Sequence, residues 1–201
     1  MAFGLGLTQP VHLWGNWPMA GKSEKPSSVM VNRAPVLTLW AAVVAEVLGF
    51  DHDEALTLGR AVAGLNAYSK ELALGLFQPT SKAIKEQRLK LPKEETVTVD
   101  LLHRAVPARY TDEGLRALSG DKPIHPESVE TYLESKFGES LNEVTEAMME
   151  LAKSLPSSEL AEKAYALYEK FRPEIPPGKK GWGASGKLDL NRIRKMALSK
   201  E

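Results

Sequence analysis

The sequence contains no cysteine among its 201 residues. Disulfides, thiolate nucleophiles and cysteine-based zinc or iron–sulfur sites are therefore excluded, and the absence fits a reducing compartment. Residues 1–28 have neither a charged start nor a continuous apolar stretch of the length that a secretory signal peptide needs. We therefore predict a cytoplasmic protein.

The chain also has no net charge, because 26 basic residues balance 26 acidic ones. No global field therefore draws the whole protein to nucleic acid or to an acidic membrane surface. The charge is nevertheless divided into blocks. Residues 79–93 hold five basic residues and one acidic residue, residues 117–147 hold two and seven, and residues 178–201 hold seven and two. Any electrostatic partner must be bound by one of these blocks.

No apolar run is long enough to span a bilayer, which takes about 20 residues. The most apolar stretch lies between Val36 and Leu48, where 11 of 13 residues are apolar. Because it has no wide polar face, this stretch is predicted to be a helix surrounded by protein. Pro35 suits the first turn of such a helix, and Gly49 suits the residue just past its end.

A second helix is predicted directly after the first, because Asp51 and Glu54 have the spacing of a capping box. Ala55, Gly59 and Ala63 lie one turn apart along it. Small side chains at this spacing let another helix approach closely, so the two helices are predicted to pack against each other. The pair predicts a helix-turn-helix-like core.

A β-hairpin is predicted where the hydrophobic period changes. From Thr96 valine alternates with threonine, and a second short run ends at Tyr110. Pro107 cannot donate a backbone hydrogen bond, so the second strand of the hairpin is predicted to be an edge strand. Residues 112–119 are then predicted to form a short helix.

Further helices are marked by residues that start or stop a helix: Pro126 and Gly138, Ser140 and Pro156, and Ser157 or Ser158 with Pro173. Connections this short make antiparallel neighbours, so a small helical bundle is predicted. The last of these helices has an inward stripe: Leu160, Ala164, Leu167, Tyr168 and Phe171. Glutamates occupy the predicted outward faces of the bundle: Glu127, Glu130, Glu134, Glu143 and Glu146. This acidic surface is expected to repel phosphate.

These patterns together predict an all-α protein, with a helix-turn-helix-like core unit, a small helical bundle and one short β-hairpin. The predicted organisation has four parts: an irregular N-terminal arm at 1–28, a helical core unit at 29–93, the β-hairpin and helical bundle at 94–175, and a Gly/Lys-rich loop with a C-terminal helix at 176–201. The C-terminal helix is predicted to begin near Asp189 and to turn its apolar side inward.

The sequence holds no convincing cofactor or metal motif. Gly181, Gly183 and Gly186 spell G-x-G-x-x-G, but no strand is predicted before them and too few residues follow to complete a βαβ unit. None of the four histidines has another histidine at metal-ligand spacing. We therefore assign no catalytic, cofactor-binding or metal-binding residue and no cofactor, and the sequence favours a protein that is not an enzyme.

The leading functional hypothesis is a non-catalytic binding or interaction protein whose partner is another protein. The alternative is a DNA- or RNA-binding protein with a winged helix-turn-helix-like core. The second alternative is an enzyme with a site near His103 and Arg109, where the reactive side chains are densest. No membrane partner is predicted, and the sequence leaves the oligomeric state and the identity of the partner open.

The nucleic-acid alternative depends on charge. A basic segment and a hairpin follow the two core helices, as in winged helix-turn-helix units. Against it, Asp51, Asp53 and Glu54 would lie beside phosphates at the front of the second helix, and useful affinity needs several lysine or arginine contacts. Eight basic residues are the candidate contacts to nucleic acid or another anion: Lys82, Lys85, Arg88, Lys90, Lys179, Lys180, Arg192 and Lys195.

Two strings in the chain are distinctive beyond their helical patterns. They are NRAPVLTLWAAVVAEVLGFDHDEALTLGRAVAGLNAYSK, within residues 31–70, and FRPEIPPGKKGWGASGKLDLNRI, at residues 171–193. In these strings, which cover about a third of the chain, the sequence resembles a family of uncharacterised bacterial proteins. The resemblance implies a bacterial cytoplasmic origin and a shared architecture, and it implies no activity and no catalytic residues.

Overall fold

Helices α1 (Arg33–Val47) and α2 (His52–Ala73) form the centre of the computed structural model, which describes residues 27–73, 96–178 and 184–199. Eleven of the 15 residues of α1 are buried. The prediction of a first helix surrounded by protein is therefore confirmed. The second helix is also confirmed, and the two helices pack against each other.

In the rest of the described chain, four strands follow α2, three α-helices follow these strands, and one more strand precedes the last helix. The further helices are α3 (Pro126–Phe137), α4 (Leu141–Lys153), α5 (Ser157–Phe171) and α6 (Leu190–Leu198). The strands are β1 (Ser28–Val31), β2 (Thr96–Leu101), β3 (Arg104–Thr111), β4 (Gly114–Ser119), β5 (Lys122–Pro123) and β6 (Gly186–Asp189). Strands β2 to β5 form a four-stranded antiparallel sheet in chain order, and β1 pairs with β6. The prediction of an all-α protein with a single hairpin is therefore wrong.

The main local error concerns residues 112–119, which form a turn and strand β4 instead of a short helix. Asp112 and Glu113 make a two-residue turn, because the register pairs Thr111 with Gly114. Gly114 has a φ of 107°, a conformation that glycine adopts without strain. The Leu-Arg-Ala-Leu run of β4 consists of strong helix formers, so local propensity favours a helix and tertiary pairing overrides it.

Two side chains of α2 complete the hydrogen bonding of β4. The Leu115 N–H donates to Glu54 Oε1 at 2.8 Å, and the Ala117 N–H donates to Thr57 Oγ1 at 3.1 Å. In an antiparallel ladder alternate N–H groups point away from the neighbouring strand and need another partner. Glu54 and Thr57 accept hydrogen bonds from two of these N–H groups of β4. Helix α2 therefore covers the part of the β4 edge that no strand pairs with.

Strand β3 lies between β2 and β4, so the prediction that it is an edge strand is wrong. Pro107 is paired with Thr98 of β2, whereas the ladder between β3 and β4 begins only at Ala108. The proline therefore lies just outside the second ladder. Its missing N–H removes no ladder hydrogen bond there, which explains why a proline is tolerated in an inner strand.

The two ends of the described chain are joined. Strand β1 pairs with β6 in antiparallel register from Ser28 opposite Asp189, and the Leu190 N–H donates to the Ser27 carbonyl oxygen at 3.0 Å. Helix α6 begins beside this pair and buries Leu190 and Ile193, so the prediction that its apolar side faces inward is confirmed. A single hydrophobic core includes residues from 29–93, from 94–175 and from α6.

We expect Trp40→Ala to lower the free energy of unfolding by about 3–5 kcal/mol, the usual effect of truncating a large buried aromatic. The Trp40 side chain is fully buried, its Nε1 donates to the Ala164 carbonyl oxygen at 2.8 Å, and its ring meets Phe171 edge to face at 5.2 Å. Urea unfolding measures the loss. Tyr110→Ala, at an aromatic residue that is 68% exposed, is the control and should change stability by less than about 0.5 kcal/mol.

Two glycines of α2 should respond in opposite directions to alanine. A Cβ at Gly59 would lie too close to the Thr38 carbonyl oxygen and 2.8 Å from the Ala42 backbone nitrogen, whereas a Cβ at Gly64 would have no atom within 4 Å. Gly59→Ala should therefore destabilise the protein. Gly64→Ala should stabilise it by up to about 1 kcal/mol through helix propensity. Equal effects in urea unfolding would show that α1 and α2 do not approach closely.

Candidate functional site

A groove of about 630 Å³ lies between α5 and α6, at the end of α4. We call it the α5–α6 groove. Apolar side chains from all three helices and the turn after α4 line it: Leu151, Leu155, Ala166, Leu167, Met196 and Ala197. This volume lies within the range of about 300–1,000 Å³ that is typical of ligand pockets.

The groove exists because α5 and α6 carry more apolar surface than the core covers. On α5, Ala164 and Tyr168 are buried against the core, whereas Leu167 is only partly buried and Ala166 is exposed. The sequence predicts that Leu167 faces inward, and the structure places it partly buried against the core with the rest of its surface at the groove. On α6, Met196 is likewise only partly buried. Both apolar stripes thus continue past the core and face the same opening.

Charged residues form the margin of the groove. On α5, Lys163 pairs with Glu159 at 2.7 Å, and Lys170 lies nearby on the same helix. A shallower extension of about 450 Å³ runs along α6 and shares Met196 and Ser199 with the groove. Lys195 lines this extension. The margin is therefore more basic than acidic.

The structure describes two of the eight candidate anion contacts. Arg192 and Lys195 are exposed on α6, where the Arg192 guanidinium pairs with Glu174 at 2.9 Å. The other six lie outside the described residues: Lys82, Lys85, Arg88, Lys90, Lys179 and Lys180. Binding of nucleic acid through this set therefore stays a prediction.

The front of α2, which a helix-turn-helix protein would place in a groove of DNA, is surrounded by carboxylates. Asp53 pairs with the buried Arg116 at 3.4 Å, and Glu54 is hydrogen-bonded to β4. Glu130 of α3 approaches from the neighbouring helix, and its Oε1 lies 3.5 Å from His52 Nε2. Carboxylates in this position oppose the approach of phosphate.

His103 and Arg109 do not share a site. His103 lies in the turn between β2 and β3, and its Nε2 hydrogen-bonds to the Glu162 carbonyl oxygen at 2.8 Å. Arg109 lies near the other end of β3, opposite Thr96 on one side and Arg116 on the other. Six residues along a strand separate the two side chains by roughly 20 Å. The structure therefore does not join them into the cleft that an enzyme site would need.

Sequence reasoning missed a polar cluster at the turn between β2 and β3. Arg104 donates to Ser69 Oγ and to Asn66 Oδ1, both at 3.3 Å, and the Tyr165 hydroxyl donates to the same Asn66 oxygen at 3.3 Å. These residues come from β3, α2 and α5 and share no sequence pattern. Because the groups satisfy one another, the cluster is best explained as the contact that holds the hairpin turn on the helices.

His52, at the start of α2, contacts both α1 and α3. His52 Nδ1 lies 2.5 Å from Glu46 Oε1 of α1, and Nε2 faces Glu130 of α3. The hydrogen bond to Glu46 raises the pKa of His52 above its ordinary value of 6.5, against a smaller opposing effect of burial. Protonated His52 can donate to both carboxylates at once.

His52→Gln should lower the free energy of unfolding more at about pH 5.5 than at about pH 9. A raised pKa contributes stability that is fully present below the unfolded-state value of 6.5 and is lost as the pH rises through the folded-state value. Urea unfolding at both pH values measures the difference. His125→Gln is the control, because the His125 ring is exposed and forms no ion pair within the described residues. A loss that does not depend on pH would contradict this account of His52.

Neither a metal cluster nor a membrane span is found within 27–73, 96–178 and 184–199. No group of three or more histidine, aspartate or glutamate side chains in these ranges is arranged to hold a metal ion. None of the helices there combines the length and the apolar character that crossing a bilayer requires.

Comparison of the chain with protein-family models, with curated proteins and with solved structures gives no match. The resemblance of residues 31–70 and 171–193 to uncharacterised bacterial proteins, and the bacterial origin it implies, therefore stay predictions.

Proposed function

We propose that the protein is a non-catalytic binding protein, that its partner is another protein, and that the α5–α6 groove receives an apolar segment of that partner. The observation that carries the proposal is the apolar lining. Leu155 and Leu167 are only partly buried and Ala166 is exposed, so all three keep surface that a partner can cover. Removing such surface from water is the main favourable term in most protein association.

The surroundings of the groove support a protein partner over a reaction. Within the described residues its lining offers one serine pair, Ser154 and Ser199, and three charged groups, without a histidine or an acidic cluster. A catalytic site needs a base or nucleophile in hydrogen-bond reach of the reacting atom. The absence of cysteine supports a cytoplasmic location for this interaction.

Ala166→Glu tests the proposal, with Ala161→Glu as the matched control. Both alanines are exposed on α5, but only Ala166 lines the groove. Peptides are first selected from a displayed random library on the full wild-type chain. Their affinity for Ala166→Glu should fall at least about tenfold, because the new carboxylate must lose its water when an apolar segment covers it.

Affinity for Ala161→Glu should stay within about twofold of wild type, since exposed substitutions away from a contact have small effects. Thermal unfolding of both variants checks that they keep the fold. The proposal fails if no peptide is enriched, or if the enriched peptides bind both variants as tightly as the wild-type chain.

A further inference from the structure

Two lysines without ion-pair partners stand beside the groove. Lys170 is exposed on α5, and Lys195 is exposed on α6 in the extension that shares Met196 with the groove. Within the described residues neither ammonium group forms an ion pair, although Lys163 and Arg192 nearby are both paired with glutamates. An unpaired lysine thus lies at the groove on α5 and at its extension on α6, and Asp189 is the acidic residue that lines the extension.

We infer that the occupant of the groove is an amphipathic helix of the partner protein whose apolar side is flanked by carboxylates. The inference rests on the proposed function and adds the chemistry of the partner. Two neighbouring helices with a gap between them present a surface on which a third helix packs. Carboxylates beside the apolar stripe of that helix would meet Lys170 and Lys195.

Charge and polarity together favour this occupant over nucleic acid. Two lysines release too few counterions for useful affinity to a phosphate backbone. The apolar side chains between them, Leu167 and Met196 among others, would face sugar and phosphate without a matching surface. An apolar stripe with acidic margins matches both features, and complementary charge also gives orientation and specificity.

The experiment uses two synthetic peptides of about 16 residues, long enough to form a helix when bound. They share one leucine and alanine stripe, and the flanking positions are glutamate in the first and lysine in the second. Binding to the full wild-type chain is measured at low salt. The acidic peptide should bind at least about fivefold more tightly, the effect of a few exposed ion pairs. The preference should shrink at about 0.5 M salt, where screening is strong.

The double variant Lys170→Glu with Lys195→Glu should reverse the preference. Lys122→Glu with Lys136→Glu is the control, since it changes the net charge equally at exposed lysines on β5 and α3. The control variant should still prefer the acidic peptide, as the wild-type chain does. A reversal by both variants would show a long-range charge effect and overturn the inference.

The same peptides separate this inference from the proposed function. If both peptides bind equally and Ala166→Glu weakens both, the groove binds apolar helices without selecting their charge, so only the inference fails. If neither peptide binds the wild-type chain although displayed peptides are enriched on it and lose affinity for Ala166→Glu, only the inference fails. If no displayed peptide is enriched either, the proposed function fails as well.

Discussion

The contact between α1 and α2 at Gly59 sets the position of the other elements. The glycine lies against the backbone of α1 at Thr38 and Ala42, where any side chain would collide. The stripe of α2 that faces away from this contact lies against the sheet. That stripe carries Glu54 and Thr57, which hold β4 through its backbone N–H groups.

The opposite side of α1 fixes the bundle, and the α5–α6 groove follows from this. Trp40 binds the Ala164 carbonyl oxygen and packs on Phe171, so α5 is held with those residues toward α1. A helix has about 3.6 residues per turn, so Leu167 lies beside this contact and Ala166 lies nearly opposite it. They border the groove because α6 packs on α4 and contributes its own uncovered residues.

Helices α3 and α6 are predictable from sequence because their ends are marked locally. Pro126 and Gly138 bound α3, and Asp189 caps α6 by accepting a hydrogen bond from the Arg192 N–H at 3.1 Å. The hairpin of β2 and β3 is also predictable from its valine and threonine alternation. In each case the signal lies within about ten residues of the element that it specifies.

Strands β1, β4 and β6 could not be predicted in the same way, because β1 and β6 are held by each other across the chain and β4 is held partly by α2. Strands β1 and β6 have four residues each, and their pairing joins Ser28 to Asp189 across most of the chain. Strand β4 is a helix-forming run that is kept extended by β3 and by α2. Gly186 shows the same limit: it reads as part of a glycine motif, yet its space is taken by the Glu174 carbonyl oxygen in a strand bridge.

The shape of the groove also has no signature in the sequence, whereas the charge at its margin can be predicted from the sequence. Leu167 has the spacing of a core residue and packs against the core, and only the packing of α5 on α1 shows that part of its surface is left at the groove. The division of charge, by contrast, follows the blocks of the sequence: exposed glutamates lie on α3 and exposed basic residues on α6. Although the net charge is zero, the protein has an acidic helix beside the front of α2 and a basic margin beside the groove. Because like charges repel and opposite charges attract over about a Debye length, the acidic helix would repel a carboxylate-bearing partner and the basic margin would attract it.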